Sequence, residues 1–305
     1  MTRRQAVAAL ALVCLVWGVS FTVIKQALGY ASPLVLLGLR FTLASAVIVG
    51  SLRGLTREEA AGGLLLGTLF WAGFVLQTMG LEQTTPSRSA FLTILSTPLV
   101  PVLQFLLQRT LPRGPTLGAI GLAVAGTWLL TSPGGGAGLN RGDVLTIGCA
   151  ILFTGQIVAA GYYATRIPIG RLLALELGWC AVLSLLTAPL LESPRLVPAP
   201  AFLAMVAFLA FTGLWSFRTQ LQAQQVLTPT HTALVFTLEP VFAALTSYLV
   251  LGERLGPVQL LGGALILAAV AAPALEAPEP GHRAGQRDRG RAKPQPLTDR
   301  NPESK

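Results

Sequence analysis

Long apolar runs recur along almost the whole chain, with short polar stretches between them. Each run has about the 20 residues with which an α-helix crosses a hydrocarbon core of ~30 Å. This pattern predicts an all-α fold, a polytopic membrane protein with ten transmembrane helices. The predicted spans cover residues 6–26, 33–52, 62–81, 87–108, 114–131, 143–162, 171–191, 200–221, 230–250 and 257–275.

The two ends of the chain depart from this pattern. The N-terminus, Met1 to Arg4, resembles the start of a signal peptide, but the apolar run continues to Ile24 without a convincing small-residue cleavage site. We therefore predict an uncleaved first helix. Residues 276–305 hold mostly Pro, Arg, Gln and Gly with almost no apolar side chains, which predicts a disordered tail.

Composition agrees with a membrane protein. Of the 305 residues, 52% are hydrophobic and only 11% are charged, whereas about a quarter are charged in soluble domains. The net charge of +9 would suit nucleic acid, but the basic residues are spread over the loops and the tail, so we expect the lipid bilayer as partner and no nucleic acid.

The distribution of basic residues also predicts the orientation. With a cytoplasmic N-terminus, the inner loops hold eight arginines, against five basic residues in the outer loops when Lys25 is counted. We expect a multi-pass protein of the inner or plasma membrane with both termini in the cytoplasm.

An internal repeat relates the two halves of the chain. When Gln77 is set beside Gln220, Pro98 meets Pro240 after one gap, so the third to fifth helices echo the eighth to tenth. Five helices is an odd number, so the second copy would enter the membrane upside down, as in many transporters. The predicted units are a first repeat (1–131), a Gly-rich linker (132–142), a second repeat (143–275) and the tail (276–305).

Glu239 and Pro240 fall near the middle of the predicted ninth span. A charged residue at mid-membrane costs ~2.5–3.5 kcal/mol on insertion scales, and proline removes a backbone donor. A helix that lines a polar cavity can use both residues, because water and neighbouring helices satisfy the freed groups. We predict helix bends at Pro240 and at its counterpart Pro98.

Other polar or aromatic residues inside the spans complete a predicted central cavity. Its candidate substrate-binding residues are Trp17, Arg40, Gln77, Thr93, Gln156, Gln220, Thr237 and Glu239. Two of them have a competing explanation, since Trp17 could be bundle packing and Arg40 could reach the outer headgroups. Glu176 could pair with a cation across the repeat or lie at the interface, and Lys25 is expected to snorkel to the outer surface.

Three short stretches resemble a known family. Residues 239–245 (EPVFAAL), residues 251–255 (LGERL) and Gly262-Gly263 are similar to the C-terminal half of the EamA family of drug/metabolite transporters, and Trp17-Gly18 fits its first helix. The resemblance implies a transporter of a small metabolite, such as an amino acid, that is exported. The first half departs from the family pattern, because Gln108-Arg109-Thr110 lacks the usual acidic residue.

The function predicted is secondary transport of a small-molecule substrate by alternating access. No GxxxxGK[ST] sequence occurs, so an ATP site of the P-loop type is absent, and Glu239 is the candidate for proton coupling. The alternatives are a non-transporting scaffold or regulatory protein and, behind it, a membrane-embedded enzyme. No HExxH, GxSxG or CxxC sequence occurs, so we expect no catalysis, no cofactor and no metal; the solute, coupling ion and oligomeric state stay open.

Overall fold

The computed structural model describes residues 1–109, 114–131, 140–251 and 256–274. Within these ranges the chain forms twelve α-helices and one 3-10 turn, without a strand beyond one isolated bridge between Ala31 and Leu196. The helices are α1 (Arg3–Ala27), α2 (Pro33–Ala46), α3 (Arg57–Gln83), α4 (Pro86–Thr93), α5 (Ser96–Gln108), α6 (Gly114–Thr131), α7 (Arg141–Tyr163), α8 (Ile169–Leu191), α9 (Pro200–Gln224), α10 (Pro229–Phe236), α11 (Glu239–Leu251) and α12 (Pro257–Ala274). The predicted tail, and residues 132–139 of the predicted linker, lie outside the described residues.

The all-helical prediction is confirmed for the described residues. Seven helical stretches are long and apolar enough to cross a membrane, and three shorter apolar helices fall in the other predicted spans. The seven are Arg3–Ala27, Arg57–Gln83, Pro86–Leu107, Arg141–Tyr163, Ile169–Leu191, Pro200–Gln224 and Pro229–Val250, and the shorter ones are Pro33–Ala46, Leu117–Gly126 and Leu260–Ala269. The count of ten crossings stays a prediction.

The second predicted span is too long. Helix α2 ends at Ala46 and a separate 3-10 turn covers Val49–Leu52, where one helix over 33–52 was expected. The run Val47-Ile48-Val49-Gly50 consists of residues with low helix propensity, which explains the early end. At the usual rise per residue, the 14 residues of α2 extend only about 21 Å.

Capping boxes move three helix starts outward from the predicted spans, those of α1, α3 and α7. Thr2 and Gln5 cap α1, and Thr56 and Glu59 cap α3, each by reciprocal hydrogen bonds between a side chain and a backbone N–H. These boxes satisfy N–H groups that the first turn of a helix leaves free. Helix α3 consequently begins at Arg57, several residues before the apolar run.

Two of the long helical stretches are broken. Helices α4 and α5 are separated at Ile94-Leu95, and α10 and α11 at Thr237-Leu238. A proline ring clashes with the carbonyl four residues earlier, and four residues before Pro98 and Pro240 stand Ile94 and Phe236. Each break therefore lies where the proline disrupts the helical hydrogen-bond ladder.

Each of the largest helix contacts has an equivalent contact when every helix is replaced by its counterpart in the other half. Helix α3 packs on α7 as α9 packs on α1, and α5 packs on α7 as α11 packs on α1. The pairs α2–α8 and α6–α12 are their own counterparts. This pattern is what two structurally equivalent halves related by a twofold would give. It includes α1, α2, α7 and α8, whose sequences show the repeat only weakly.

Glycine allows the closest of these helix contacts. A Cβ atom on Gly18 would lie 2.7 Å from the backbone nitrogen of Ala243 and 2.7 Å from Cβ of Phe242, so α1 and α11 touch there. A Cβ on Gly126 would lie 2.7 Å from the carbonyl oxygen of Gly262, which makes the α6–α12 contact. Small residues at helix crossings are typical of membrane bundles.

Candidate functional site

A cavity of about 70 Å³ lies between the two halves, bounded by helices of both. Seven of the eight predicted substrate-binding residues contribute to its wall: Trp17, Arg40, Gln77, Thr93, Gln156, Gln220 and Glu239. The rest of the wall is Ser20, Phe21, Ile24, Phe70, Phe74, Ile94, Ser96, Phe153, Ile157, Leu209, Gly213, Phe217 and Phe236. Positions up to 222 residues apart in the chain thus surround one space.

Thr237 lies apart from that wall. It is the C-cap of α10 and fully buried, and its hydroxyl donates to the carbonyl of Leu234 at 2.6 Å. A threonine hydroxyl commonly bonds back to its own helix in this way. Its position beside the helix break, rather than the cavity, is what the structure assigns to it.

Two opposite charges face the cavity without pairing. The Arg40 guanidinium lies 4.3 Å and 4.7 Å from the ring centroids of Phe41 and Phe74, and its Nε has no hydrogen-bond partner. Glu239 forms no hydrogen bond or ion pair with the residues that the structure describes. The exposed fractions are only 4% for Arg40 and 5% for Glu239, so both side chains lie inside the helix bundle.

Unpaired charges at such depth are costly unless a partner reaches them. The cation is held by aromatic faces, which offer it weak electrostatic attraction. The indole N–H of Trp17 is also buried without an acceptor and belongs to the same wall. The cavity therefore presents a cation, a carboxylate and an N–H donor that the surrounding described residues leave available.

The amides on the two sides of the cavity are bound differently. Gln77 Nε2 donates to Thr93 Oγ1 at 3.1 Å, and that hydroxyl donates to the carbonyl of Ser89 at 2.9 Å. On the other side, Gln220 Nε2 donates to Gln156 Oε1 at 3.2 Å. The repeat places Gln77 and Gln220 equivalently, and both border the cavity, but their partners make the halves chemically unequal.

An aromatic wall was missed by the sequence analysis. Phe217 is packed edge-on to Phe70 and Phe74, with ring centroids 4.7 Å and 5.8 Å away, and Trp17 lies 4.9 Å from Phe236. The signal was present in the spacing, since residues 70, 74 and 77 share one face of α3. Many aromatic residues in the apolar helices have this spacing, so only the packing of the helices shows which rings contact one another.

Lys25 and Glu176 have hydrogen-bond partners that the sequence did not predict. Lys25 Nζ donates to the carbonyls of Leu81, Glu82 and Thr84 at 2.7, 3.0 and 2.9 Å and so caps the C-terminus of α3. Glu176 forms no ion pair with a cation among the described residues. Its side chain is fully buried and accepts a hydrogen bond from Gln156 Nε2 at 2.8 Å.

The described part of the chain holds no group of three or more His, Cys, Asp or Glu side chains able to bind a metal. Cys14, Cys149 and Cys180 are free and buried.

Comparisons with known proteins find a matching family model, a relative and a similar fold. A model described as "EamA-like transporter family" matches residues 4–132 and again residues 140–272. A relative from Archaeoglobus fulgidus, named "Uncharacterized transporter", is 30% identical over 269 residues, which cover 88% of this chain and 85% of the relative. A solved structure described as "Crystal structure of protein" is similar in fold, with a TM-score of 0.74 at 21% identity over 90% of this chain and 100% of that one.

Proposed function

Because the chain belongs to the EamA-like transporter family of membrane transporters, we propose that it is a secondary transporter that exports a small zwitterionic metabolite, such as an amino acid, through the central cavity. The observation that carries this proposal is the pair of unpaired, opposite charges, Arg40 and Glu239, on the wall of one cavity.

A zwitterion satisfies both charges at once. Its carboxylate would accept hydrogen bonds from the Arg40 guanidinium, a geometry in which charge-assisted bonds are strong. Its ammonium group would donate to Glu239, and its apolar part would contact the ring faces of Phe74, Phe217 and Phe236. A solute with one charge leaves the other buried and unpaired, which disfavours it.

The exchangeable packing of the halves supports a mechanism of alternating access. In this proposal residues 1–131 and 143–275 form two oppositely inserted repeats with ten crossings in all, and both termini face the cytoplasm. A reporter fused to the C-terminus that proves external would contradict this orientation. Pockets that hold drug-sized ligands measure about 300–1,000 Å³, so a cavity of 70 Å³ must widen to admit a metabolite.

Transport by the purified protein in proteoliposomes tests the proposal. Release of L-phenylalanine is compared with release of 3-phenylpropionate and phenethylamine, which each lack one of its charges. We expect only the zwitterion to be released. Arg40→Gln or Glu239→Gln should lower its rate about 10-fold or more, since a hydrogen bond to a charged group contributes ~1.5–3 kcal/mol.

Arg218→Gln is the matched control, because Arg218 is exposed on α9 and outside the cavity wall. Wild-type flux in the Arg40→Gln, Glu239→Gln double variant would remove the roles given to both residues. Absence of flux for every solute of a wider amino-acid panel would favour the scaffold alternative.

A further inference from the structure

A row of polar side chains runs behind the cavity on one face of α8. Glu176, Cys180 and Ser184 are spaced four residues apart, so they share a face, and all three are fully buried. Two of their atoms, Glu176 Oε2 and Ser184 Oγ, have no hydrogen-bond partner among the described residues. A carboxylate oxygen buried in this way is costly to leave charged and unsatisfied.

One amide joins this carboxyl group to the cavity. Gln156 Nε2 donates to Glu176 Oε1 at 2.8 Å, while Gln156 Oε1 accepts from Gln220 Nε2 at 3.2 Å. Both glutamines border the cavity, whereas Glu176 does not. A solute that contacts either amide in the cavity therefore changes the hydrogen bonding of a carboxyl group it never touches.

No counterion pairs with Glu176 in the described part of the chain. Of the elements packed on α8, α2 presents Arg40, which forms no ion pair with it, and the 3-10 turn Val49–Leu52 has no ionisable side chain. The neutral Gln156 reaches Glu176 from α7. Helix α3 has its ionisable side chains only near its two ends, and the single one of α9, Arg218, is exposed. On α8 itself the nearest ionisable group is the Cys180 thiol.

We propose that Glu176 is a proton-binding site of this protein and that Gln156 couples it to the solute site. On loading, a proton from water forms an O–H bond at Glu176 Oε2 and the carboxylate charge disappears; on release, the proton returns to water. The use of this site in transport rests on the proposed function, but proton binding itself depends only on the contacts around Glu176.

The coupling has a physical basis in the Gln156 bond. A hydrogen bond to a carboxylate is roughly twice as strong as one to a neutral carboxyl group. The charged form of Glu176 consequently holds the Gln156 amide firmly, and protonation frees that amide to bind solute. By linkage, solute binding must favour the protonated form to the same extent.

Infrared spectroscopy of the full-length protein, titrated from acidic to alkaline pH in lipid nanodiscs, tests the proton site without any solute. The measurement uses a Glu239→Gln background, because Glu239 is also a buried carboxyl group. This protein should show a carbonyl-stretch band of a neutral carboxylic acid that is lost when Glu176→Gln is added. Glu58→Gln, an exposed acidic residue in α3, serves as control and should keep that band. Identical titrations with and without Glu176→Gln would overturn the proposal.

Gln156→Leu keeps Glu176 and removes its hydrogen-bond donor, so it tests the link even if Glu176→Gln folds poorly. The carbonyl band should shift to higher frequency, because the bond to Glu176 Oε1 is lost; an unshifted band would overturn the role of Gln156.

Coupling is then measured as the acceleration of L-phenylalanine release from proteoliposomes with an acidic lumen, because linkage of this sign moves proton and solute in the same direction. That acceleration should be lost in Glu176→Gln, and its persistence would overturn the coupling. If wild-type protein moves no solute of the amino-acid panel, the proposed function fails while the infrared result still decides the proton site.

Discussion

Charged side chains in the apolar segments of this protein are placed by their need for a polar or charged partner. Arg40 and Glu239 lie in apolar segments where lipid would not accept their charges, and both line the central cavity, where a solute can supply a partner. Lys25 solves the same problem by binding three backbone carbonyls at the end of α3. Glu176 instead accepts a hydrogen bond from the neutral amide of Gln156.

Gly18 has no side chain, and this permits a close helix contact beside the cavity. It lets α1 approach α11 closely beside Trp17, which belongs to the cavity wall. A Cβ there would meet backbone atoms of α11, which cannot move aside as the end of a side chain can.

We therefore expect Gly18→Ala to lower the stability of the protein by ~1–3 kcal/mol, the cost of overpacking. The matched control is Gly118→Ala, where a Cβ meets nothing within 4 Å and alanine favours the helix by up to ~1 kcal/mol. The apparent melting temperature of the purified variants measures both effects. An equal shift for the two variants would contradict the close contact.

At the scale of elements, the notable feature is how α2 and α8 are tied together at one end. Glu192, directly after α8, accepts hydrogen bonds from the backbone N–H groups of Leu34 and Val35 and from the Ser32 hydroxyl. The guanidinium of Arg195 donates to the carbonyls of Leu28 and Gly29. A residue from the second half thus caps a helix of the first.

Glu192→Gln should lower the free energy of unfolding by about 1 kcal/mol, because a carboxylate at a helix N-terminus both accepts N–H bonds and complements the helix dipole. Glu58→Gln, exposed in the first turn of α3, removes a charge of the same kind without the cross-half contact and should cost only a few tenths of a kcal/mol. Thermal unfolding of both variants measures the difference, and equal losses would show that the cap adds nothing.

At the scale of the whole molecule, the loops before α2 and after α8 join the two halves through backbone hydrogen bonds. Ala31 and Leu196 form an antiparallel bridge, with hydrogen bonds on either side from Ser32 to Arg195 and from Val197 to Tyr30. If the halves alternate in access, this bridge must part when the cavity opens toward these loops.

A disulfide across the bridge should therefore stop transport. Ala31 and Leu196 are a non-hydrogen-bonded antiparallel pair, because the hydrogen bonds come from their neighbours. In such pairs the Cα atoms lie about 4.5 Å apart, within the range of about 4.4–6.8 Å that disulfides adopt. We expect the oxidised Ala31→Cys, Leu196→Cys double variant to lose L-phenylalanine release in proteoliposomes and a reductant to restore it, with each single variant as control. The native cysteines are buried and should not interfere. If fully cross-linked protein transports as fast as the protein after reduction, the bridge stays closed throughout the transport cycle.

The sequence by itself determined the all-helical fold, the membrane environment, the repeat and most of the polar residues of the cavity wall. Burial of backbone polar groups in lipid leaves long apolar runs no alternative to helix, and a charge such as Glu239 in such a run must face a polar space. Pro98 and Pro240 also marked the broken helices, because a missing donor acts locally.

Only the tertiary structure decided which side chains meet. Contacts between helices form the aromatic wall, the cap that Lys25 provides and the Gln156–Glu176 hydrogen bond. They also leave Thr237 outside the cavity. The physical reason is that a helical sequence fixes the face of each side chain only relative to its own axis. The rotation and approach of the helices depend on packing summed over many residues distant in the chain.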